Sequence, residues 1–418
     1  MTFTPTASVP DMDQKAAPAS KGRLVQLDFL RGIAILLVLI HHTPLKTAFG
    51  SITPFVAPLF RFGWSGVDMF FILSGFLVGG LLFSEIAATG RLDVPRFLIR
   101  RAFKLWPGYA VFIAYYAAKL IHRGDSLAGA FRALWPNFIH LQNYIHVENP
   151  FALAPEHTWS LAVEEHFYLV LPLLLLFLLR DSSRERLSRI PWIAGGLLVV
   201  CLALRLLRAG QPFDRYADMF PTHLRIDTLF LGVCLGYFYH FNPSVWHRVA
   251  AFRKSLLALG FVLVAPMLWV PETAPFVFTA GYTALALGYA CLLIAVVPAP
   301  GAEAAPQGLW TNPFVQGIAW VGLYSYSIYL WHQDLAIYPV LHWLRFNAVA
   351  HAIGTPLAAA IFLLIGIGVS IFAGWLMGRL IEFPVLRVRE RYFAAKAGPL
   401  TEDVPSLPMG SSEAVPNL

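Results

Sequence analysis

The sequence is poor in charge: Asp, Glu, Lys and Arg make up 13% of its 418 residues, whereas 57% of the residues are hydrophobic. Soluble domains carry roughly twice that share of charged residues. A mean hydropathy of +0.62 also requires long apolar runs, and apolar runs that cross a bilayer are helical unless they close into a barrel. The composition excludes an ordinary soluble protein and predicts an all-α, polytopic integral membrane protein.

Cysteine is scarce as well, and Cys201, Cys234 and Cys291 all lie inside apolar runs. This placement is typical of small buried side chains and argues against a disulfide framework or a metal cluster. The spacing of the histidines near residue 160 does not match an HExxH zinc motif, so we expect no metal. The net charge of +7 comes from clusters in short loops, which indicates membrane topology and not nucleic-acid binding.

The apolar runs predict about ten transmembrane helices, and the basic clusters between them predict that both termini are cytoplasmic. We therefore expect a multi-pass protein of the inner (cytoplasmic) membrane. Residues 1–22 and 397–418 are polar and Pro-rich, which predicts disordered cytoplasmic tails on a single transmembrane domain at 23–396. The ten predicted spans are 27–44, 64–84, 103–121, 159–180, 191–208, 223–241, 255–270, 276–297, 316–343 and 355–380.

The first apolar run, LDFLRGIAILLVLIHH, begins with charged residues and ends in two histidines. His42 follows Arg31 by eleven residues, which is three helical turns plus roughly 20°, so both lie on one face, with Asp28 about 40° away. Their separation along the helix is about 16 Å, half of a hydrocarbon core of about 30 Å. Charged residues are costly in lipid, so this face predicts a functional site that contains His42.

The second predicted span carries Asp68, which we expect at the depth of His42, where a carboxylate would orient the imidazole for acid–base chemistry. In the same span, Gly75 and Gly79 form a small-xxx-small pattern that favours close helix packing. The fourth span opens with Ser160 and Glu164 on one face. A carboxylate inside an apolar helix predicts a functional or hydrogen-bonding role for Glu164.

A basic cluster, Arg96, Arg100, Arg101 and Lys104, precedes the third span. An ordinary topology signal explains part of it, and a binding site for an anionic phosphate explains the paired arginines better.

Three later residues have simpler interpretations. Arg225 and Asp227 are predicted to form a structural ion pair. For His332, a contribution to the site and a bond to a neighbouring helix both stay open, and the sequence favours the second.

Seven motifs occur in a fixed order between about residues 24 and 387: LDFLRGIAILLVLIHH, GVDMFFILSGFLVGG, RRAFKLWPGY, HTWSLAVEEHFYLVLP, RIDTLFLG, SYSIYLWH and IEFPVLR. Together they resemble the acyltransferase-3 family of integral membrane acyltransferases, which modify sugars and other hydroxylated acceptors. The resemblance maps the family's histidine to His42 and its paired arginines to Arg100 and Arg101. Lys104 stands where arginine is more usual, and His166 stands where the family has glutamine.

The resemblance implies transfer of an acyl group, most simply acetyl, from cytoplasmic acyl-CoA to a hydroxyl of a carbohydrate-type acceptor at the outer face. His42 would be the general base or would carry the acyl group transiently, with Asp68 and Glu164 as further catalytic residues. The acyl-CoA would be bound by Arg31, Arg100, Arg101 and Lys104. The acceptor would be bound by Trp159 and Ser160.

Two other classes of function remain open at this point. A proton-coupled carrier or flippase would also place Arg31, His42, Asp68 and Glu164 within the membrane, but the fifth to eighth spans show no second charged set that would indicate an inverted repeat. A structural or sensory protein would leave the polar residues of the first, second and fourth spans unexplained.

Overall fold

The computed structural model describes residues 24–43, 49–149, 154–180, 184–301, 308–339 and 355–393, so both predicted tails lie outside the described residues. Within these ranges the regular structure is helical, without strands, and the prediction of an all-α protein is confirmed. The α-helices are α1 (Val25–His42), α2 (Thr53–Phe62), α3 (Gly66–Thr89), α4 (Val94–His122), α5 (Leu127–Phe138), α6 (Trp159–Leu178), α7 (Ile190–Leu207), α8 (Ile226–Phe241), α9 (Pro243–Ala250), α10 (Arg253–Val264), α11 (Pro266–Trp269), α12 (Tyr282–Val296), α13 (Pro313–Leu323), α14 (Ser325–Trp331), α15 (Thr355–Met377) and α16 (Phe383–Phe393).

Each predicted span overlaps a described helix, but the ninth is broken. It consists of α13 and α14, with Tyr324 between them, and continues as a π-helical turn at His332–Ile337. Six helical segments of the described chain are long and apolar enough to cross a membrane, or seven if the pair that bends by 78° within 243–269 counts as one span. These segments define a multi-pass membrane protein; the full count of ten stays a prediction.

The centre of the bundle is α3, which packs along α8 more extensively than any other pair of described helices. Glycines allow this close approach: a Cβ atom at Gly75 would lie 1.9 Å from the carbonyl oxygen of Leu229, and one at Gly232 would lie 2.3 Å from that of Ile72. Gly79 faces Val233 of α8 in the same way. The prediction that Gly75 and Gly79 mediate helix packing is confirmed.

Glycines also allow α1 to pack closely on α13. A Cβ atom at Gly32 would lie 2.1 Å from the carbonyl oxygen of Ile318, and one at Gly322 would lie 1.9 Å from that of Asp28. Since α13 leads into α14, this contact brings the ninth predicted span against the helix that carries His42.

We expect Gly75→Ala to lower the stability of the fold by about 1–3 kcal/mol, because the added methyl group forces α3 and α8 apart. Gly195→Ala in α7 is the matched control, since no atom lies within 4 Å of a Cβ atom at that position. The measurement is the thermal unfolding midpoint of the detergent-solubilised protein. Equal midpoints for the two variants would contradict this account of the α3–α8 contact.

Candidate active site

His42 is the last residue of α1, and its imidazole is held by the helix itself. Nδ1 lies 2.9 Å from the backbone oxygen of Val38, one turn earlier. A carbonyl oxygen only accepts hydrogen bonds, so Nδ1 carries the proton and the lone pair of the neutral ring is on Nε2. The helix thus presets the tautomer that a general base requires.

A second histidine lies directly against His42. The ring centroid of His332 is 4.8 Å from that of His42, and that of His157 is 5.3 Å from His332. His332 is fully buried; its Nδ1 donates to the backbone oxygen of Tyr329 at 2.6 Å, and its Nε2 has no hydrogen-bond partner. The polar-aromatic motif SYSIYLWH marked His332, but the sequence favoured a bond to a neighbouring helix over membership of the site.

The π-helical turn that begins at His332 explains how this side chain is placed. Such turns insert one residue into a helix and are frequent at functional sites. Within this turn Asp334 accepts a hydrogen bond from the Tyr116 hydroxyl at 2.6 Å and forms an ion pair with Lys119, which attaches the turn to α4. Despite the clustered histidines, no group of three or more His, Cys, Asp or Glu side chains among the described residues is arranged to hold a metal ion.

His42 opens into a cavity of about 690 Å³, which we call the histidine cavity; it is also lined by His41, Trp159, Arg215 and Glu272, among others. Arg215 crosses its rim, with Nη1 3.7 Å from Glu156 and Nη2 3.6 Å from Glu272. The cavity thus combines an aromatic wall with charged groups at its rim. Aromatic faces and charged hydrogen-bonding groups suit a polar, hydroxylated ligand.

Next to this rim, the Tyr216 hydroxyl lies 3.0 Å from Nδ1 of His146, which lines the histidine cavity. Burial, reinforced by the nearby Glu156 carboxylate, raises the pKa of Tyr216 to about 12. The phenol is therefore protonated at neutral pH and can donate to His146.

A second cavity, of about 100 Å³, lies towards the amino-terminal end of α1 and is lined by Arg31, Arg101, Lys104 and Glu164. We call it the cation cavity. The guanidinium of Arg101 is nearly buried and lies 5.5 Å from the ring centroid of Tyr168, whose hydroxyl donates to Glu164 at 2.7 Å. Glu382 also lines this cavity, so three cations outnumber two carboxylates around a small volume, which suits the site to an anion.

Arg100 points away from the cation cavity. Its guanidinium pairs with Glu390 of α16 at 3.0 Å and donates to the backbone oxygen of Phe393. The adjacent arginines of the motif therefore have different neighbours: Arg101 faces the cavity, and Arg100 joins α4 to α16.

Asp68 is fully buried and accepts a hydrogen bond from Nη2 of Arg225 at 2.7 Å. The orienting contact expected between Asp68 and His42 is not among the described contacts, and the catalytic role of Asp68 stays a prediction. The predicted Arg225–Asp227 pair is wrong: Asp227 instead pairs with Arg205 at 2.6 Å. Two separate buried ion pairs form because each carboxylate meets an arginine from a different segment.

The two predicted acceptor residues are divided between the cavities. Trp159 lines the histidine cavity and stacks on Phe220 at 5.0 Å, whereas Ser160 lines the cation cavity and bonds the Tyr329 hydroxyl at 2.7 Å. The structure thus places His42 and Trp159 at one cavity, and Arg31, Arg101, Lys104, Ser160 and Glu164 at the other.

The fold and the two cavities define a multi-pass helical membrane protein with a buried histidine site next to a cationic site. The family model described as an acyltransferase domain matches residues 24–376. The chain therefore belongs to the acyltransferase-3 family.

Relatives in the comparison include O-acetyltransferase OatA from Staphylococcus aureus strains NCTC 8325 and COL. Each is 26% identical over 326 residues, which cover 75% of this chain and 50% of the relative. The chain spans about half the length of these curated relatives. No solved structure matches it.

We expect His332→Asn to lower kcat at least about tenfold while the KM for the acyl donor is unchanged, because asparagine keeps an N–H for Tyr329 but lacks the Nε2 lone pair beside His42. The measurement is the rate of acyl transfer by the purified protein. His240→Asn is the matched control, since its Nε2 is also buried without a partner and it lies on α8 about 22 Å along the helix from Arg225. Equal kcat for the two variants would leave His332 with a structural role.

Proposed function

We propose that the protein moves an acyl group, most simply acetyl, from cytoplasmic acyl-CoA to a hydroxyl of a carbohydrate-type acceptor at the outer face of the inner membrane. The observation that carries the proposal is that α1 serves both cavities: Arg31 lines the cation cavity and His42 lines the histidine cavity. Eleven helical residues separate them by about 16 Å. Helix α1 thus carries both a cation of the proposed donor site and the proposed general base.

The donor binds at the cation cavity. Coenzyme A carries several phosphates that cannot enter lipid, so its nucleotide part stays at the membrane surface, where Arg101, Lys104 and Arg31 neutralise it. Arg100 acts on this site through the Glu390 pair that fixes the start of α4. Only the thin pantetheine arm and its thioester enter the bundle towards His42.

His42 activates the acceptor. Its Nε2 takes the proton of the acceptor hydroxyl while that oxygen attacks the thioester carbonyl. The tetrahedral intermediate then loses the coenzyme A thiolate, which receives the proton from His42. A transient acyl-histidine is the alternative route, in which Nε2 attacks first. Trp159 and the rim of the histidine cavity hold the acceptor. Asp68 does not contact the acceptor; it positions Arg225, which lies beside Trp159.

The same geometry supports the proposed topology. The beginnings of α1 and α4 meet at the cation cavity with Glu382, which follows α15. Basic residues mark the cytoplasmic side, so the cation cavity faces the cytoplasm and the histidine cavity faces outwards. Ten spans with both termini inside fit this arrangement.

His42→Ala tests the base. We expect at least a hundredfold loss of kcat, because general-base catalysis contributes about 10²–10⁴-fold. Release of the coenzyme A thiol from acetyl-CoA by the purified protein, with membranes of the producing cell as the source of acceptor, is the measurement. The control is His240→Ala, because the Nε2 of His240 is buried and the residue lines neither cavity. Activity near the wild-type level in a folded His42→Ala protein would remove His42 from this role.

A comparison of Arg101→Ala with Arg100→Ala tests the donor site. Arg101→Ala should raise the KM for acetyl-CoA about tenfold or more, because it removes a charge that lines the cavity. Arg100→Ala breaks the contact between α4 and α16, so it should act mainly on thermal stability and less on KM. If the two variants had the same KM for acetyl-CoA, the assignment of the donor site would be incorrect.

A further inference from the structure

Two side chains, Val67 of α3 and Tyr329 of α14, line both the histidine cavity and the cation cavity, and they are the two described residues that do so. Both are nearly buried, at 7% and 6% exposure. The two cavities therefore adjoin at these two side chains.

The two helices that carry these residues follow the same route in opposite directions. On α3, Trp64, just before the helix, lines the histidine cavity, Val67 lines both, and Phe70 and Ser74 line the cation cavity. These positions are three to four residues apart, the spacing of one helical face.

On α14 the order is reversed. Tyr326 lines the cation cavity, Tyr329 lines both, and Gln333 lines the histidine cavity. The two helix faces thus run from one cavity to the other, and Val67 and Tyr329 lie where the cavities adjoin.

The side chain of Tyr329 is held in place by its neighbours. Its hydroxyl donates to the backbone oxygen of His157 at 2.5 Å and lies 2.7 Å from Ser160 Oγ. Phe70 packs against its ring at 6.4 Å. Because two hydrogen bonds and an aromatic contact hold the ring, the width at this point depends mainly on the side chain at position 67.

We propose that Val67 and Tyr329 form a constriction that the acyl group must pass and that sets the width of the acyl group the enzyme transfers, with Val67 as the specificity-determining residue. This inference rests on the proposed function. The constriction admits an unbranched acyl group and the pantetheine arm behind it and excludes acyl groups that branch next to the carbonyl carbon, while the coenzyme A phosphates stay in the cation cavity. It involves no charged group, because only the uncharged acyl group and pantetheine arm pass.

The test compares acetyl-CoA with isobutyryl-CoA as donors for the purified full chain, by release of the coenzyme A thiol in the presence of membranes of the producing cell. Val67→Ala should raise the isobutyryl-to-acetyl ratio of kcat/KM about tenfold, since discrimination by one or two small apolar carbon groups has this size. Val163→Ala is the matched control: Val163 is fully buried on α6 and lines neither cavity. The same ratio in both variants would overturn the proposal.

Val67→Phe is the opposite change. It should lower acetyl transfer at least about tenfold, while thermal stabilisation by acetyl-CoA is retained because Arg31, Arg101 and Lys104 are unchanged. Wild-type transfer, or loss of this stabilisation, would overturn the proposal; should Val67→Phe not fold, the ratio for Val67→Ala decides. If the wild-type protein were neither stabilised by acetyl-CoA nor able to release its thiol, the proposed function itself would fail, a result distinct from all of these.

Discussion

The buried ion pair between Asp68 and Arg225 determines the geometry around both cavities. Both side chains are at most 1% exposed, and removing two charges from water is costly unless their geometry is good. Here the guanidinium also lies 3.8 Å from the ring centroid of Tyr282 and 5.5 Å from that of Trp159. A partner lost from such a pair costs about 3–5 kcal/mol, so the pair holds its segments in one arrangement.

The Asp68–Arg225 ion pair joins the first turn of α3 to the residue before α8. Asp68 is the neighbour of Val67 in the first turn of α3, and Arg225 directly precedes α8. Since Gly75 brings the rest of α3 against α8, the start of α3 is fixed both by charge and by packing. The other side of α3 is then left to line the cavities. A helix that is apolar on every face is buried on every face, and α3 divides its faces among α8, α1, α12 and the two cavities.

Local patterns in the sequence are sufficient to predict part of this fold. The helical segments and the packing role of Gly75 and Gly79 depend on helical periodicity, which acts over a few residues. The partners of charged residues do not follow from periodicity. Asp68 and Arg225 are 157 residues apart, and Arg100 and Glu390 are 290 apart, so several oppositely charged residues were equally available on sequence grounds.

His332 is a second case in which a local sequence pattern does not predict a long-range contact. A histidine in an apolar helix is compatible with a single bond to a neighbouring helix, and its motif does not reveal what lies opposite. Its contact with His42 requires that α13, packed on α1 through Gly32 and Gly322, deliver α14 to the end of α1. The π-helical turn then rotates the chain at His332. Neither the close approach of these helices nor the turn has a distinctive local pattern.

Under the proposed function, the arrangement of polarity along α1 follows from the ligand that each end of the helix binds. Phosphates need fixed cations and remain near water, whereas an acyl thioester is uncharged and can be received in an apolar surrounding. Residues between Arg31 and His42 on α1 are uncharged, as is the shared point of the two cavities at Val67. A charged side chain there would be costly to bury and would hold the nucleotide instead of the acyl group. Under the proposed function, the apolar middle of the path is therefore what lets the reactive group travel while its carrier stays behind.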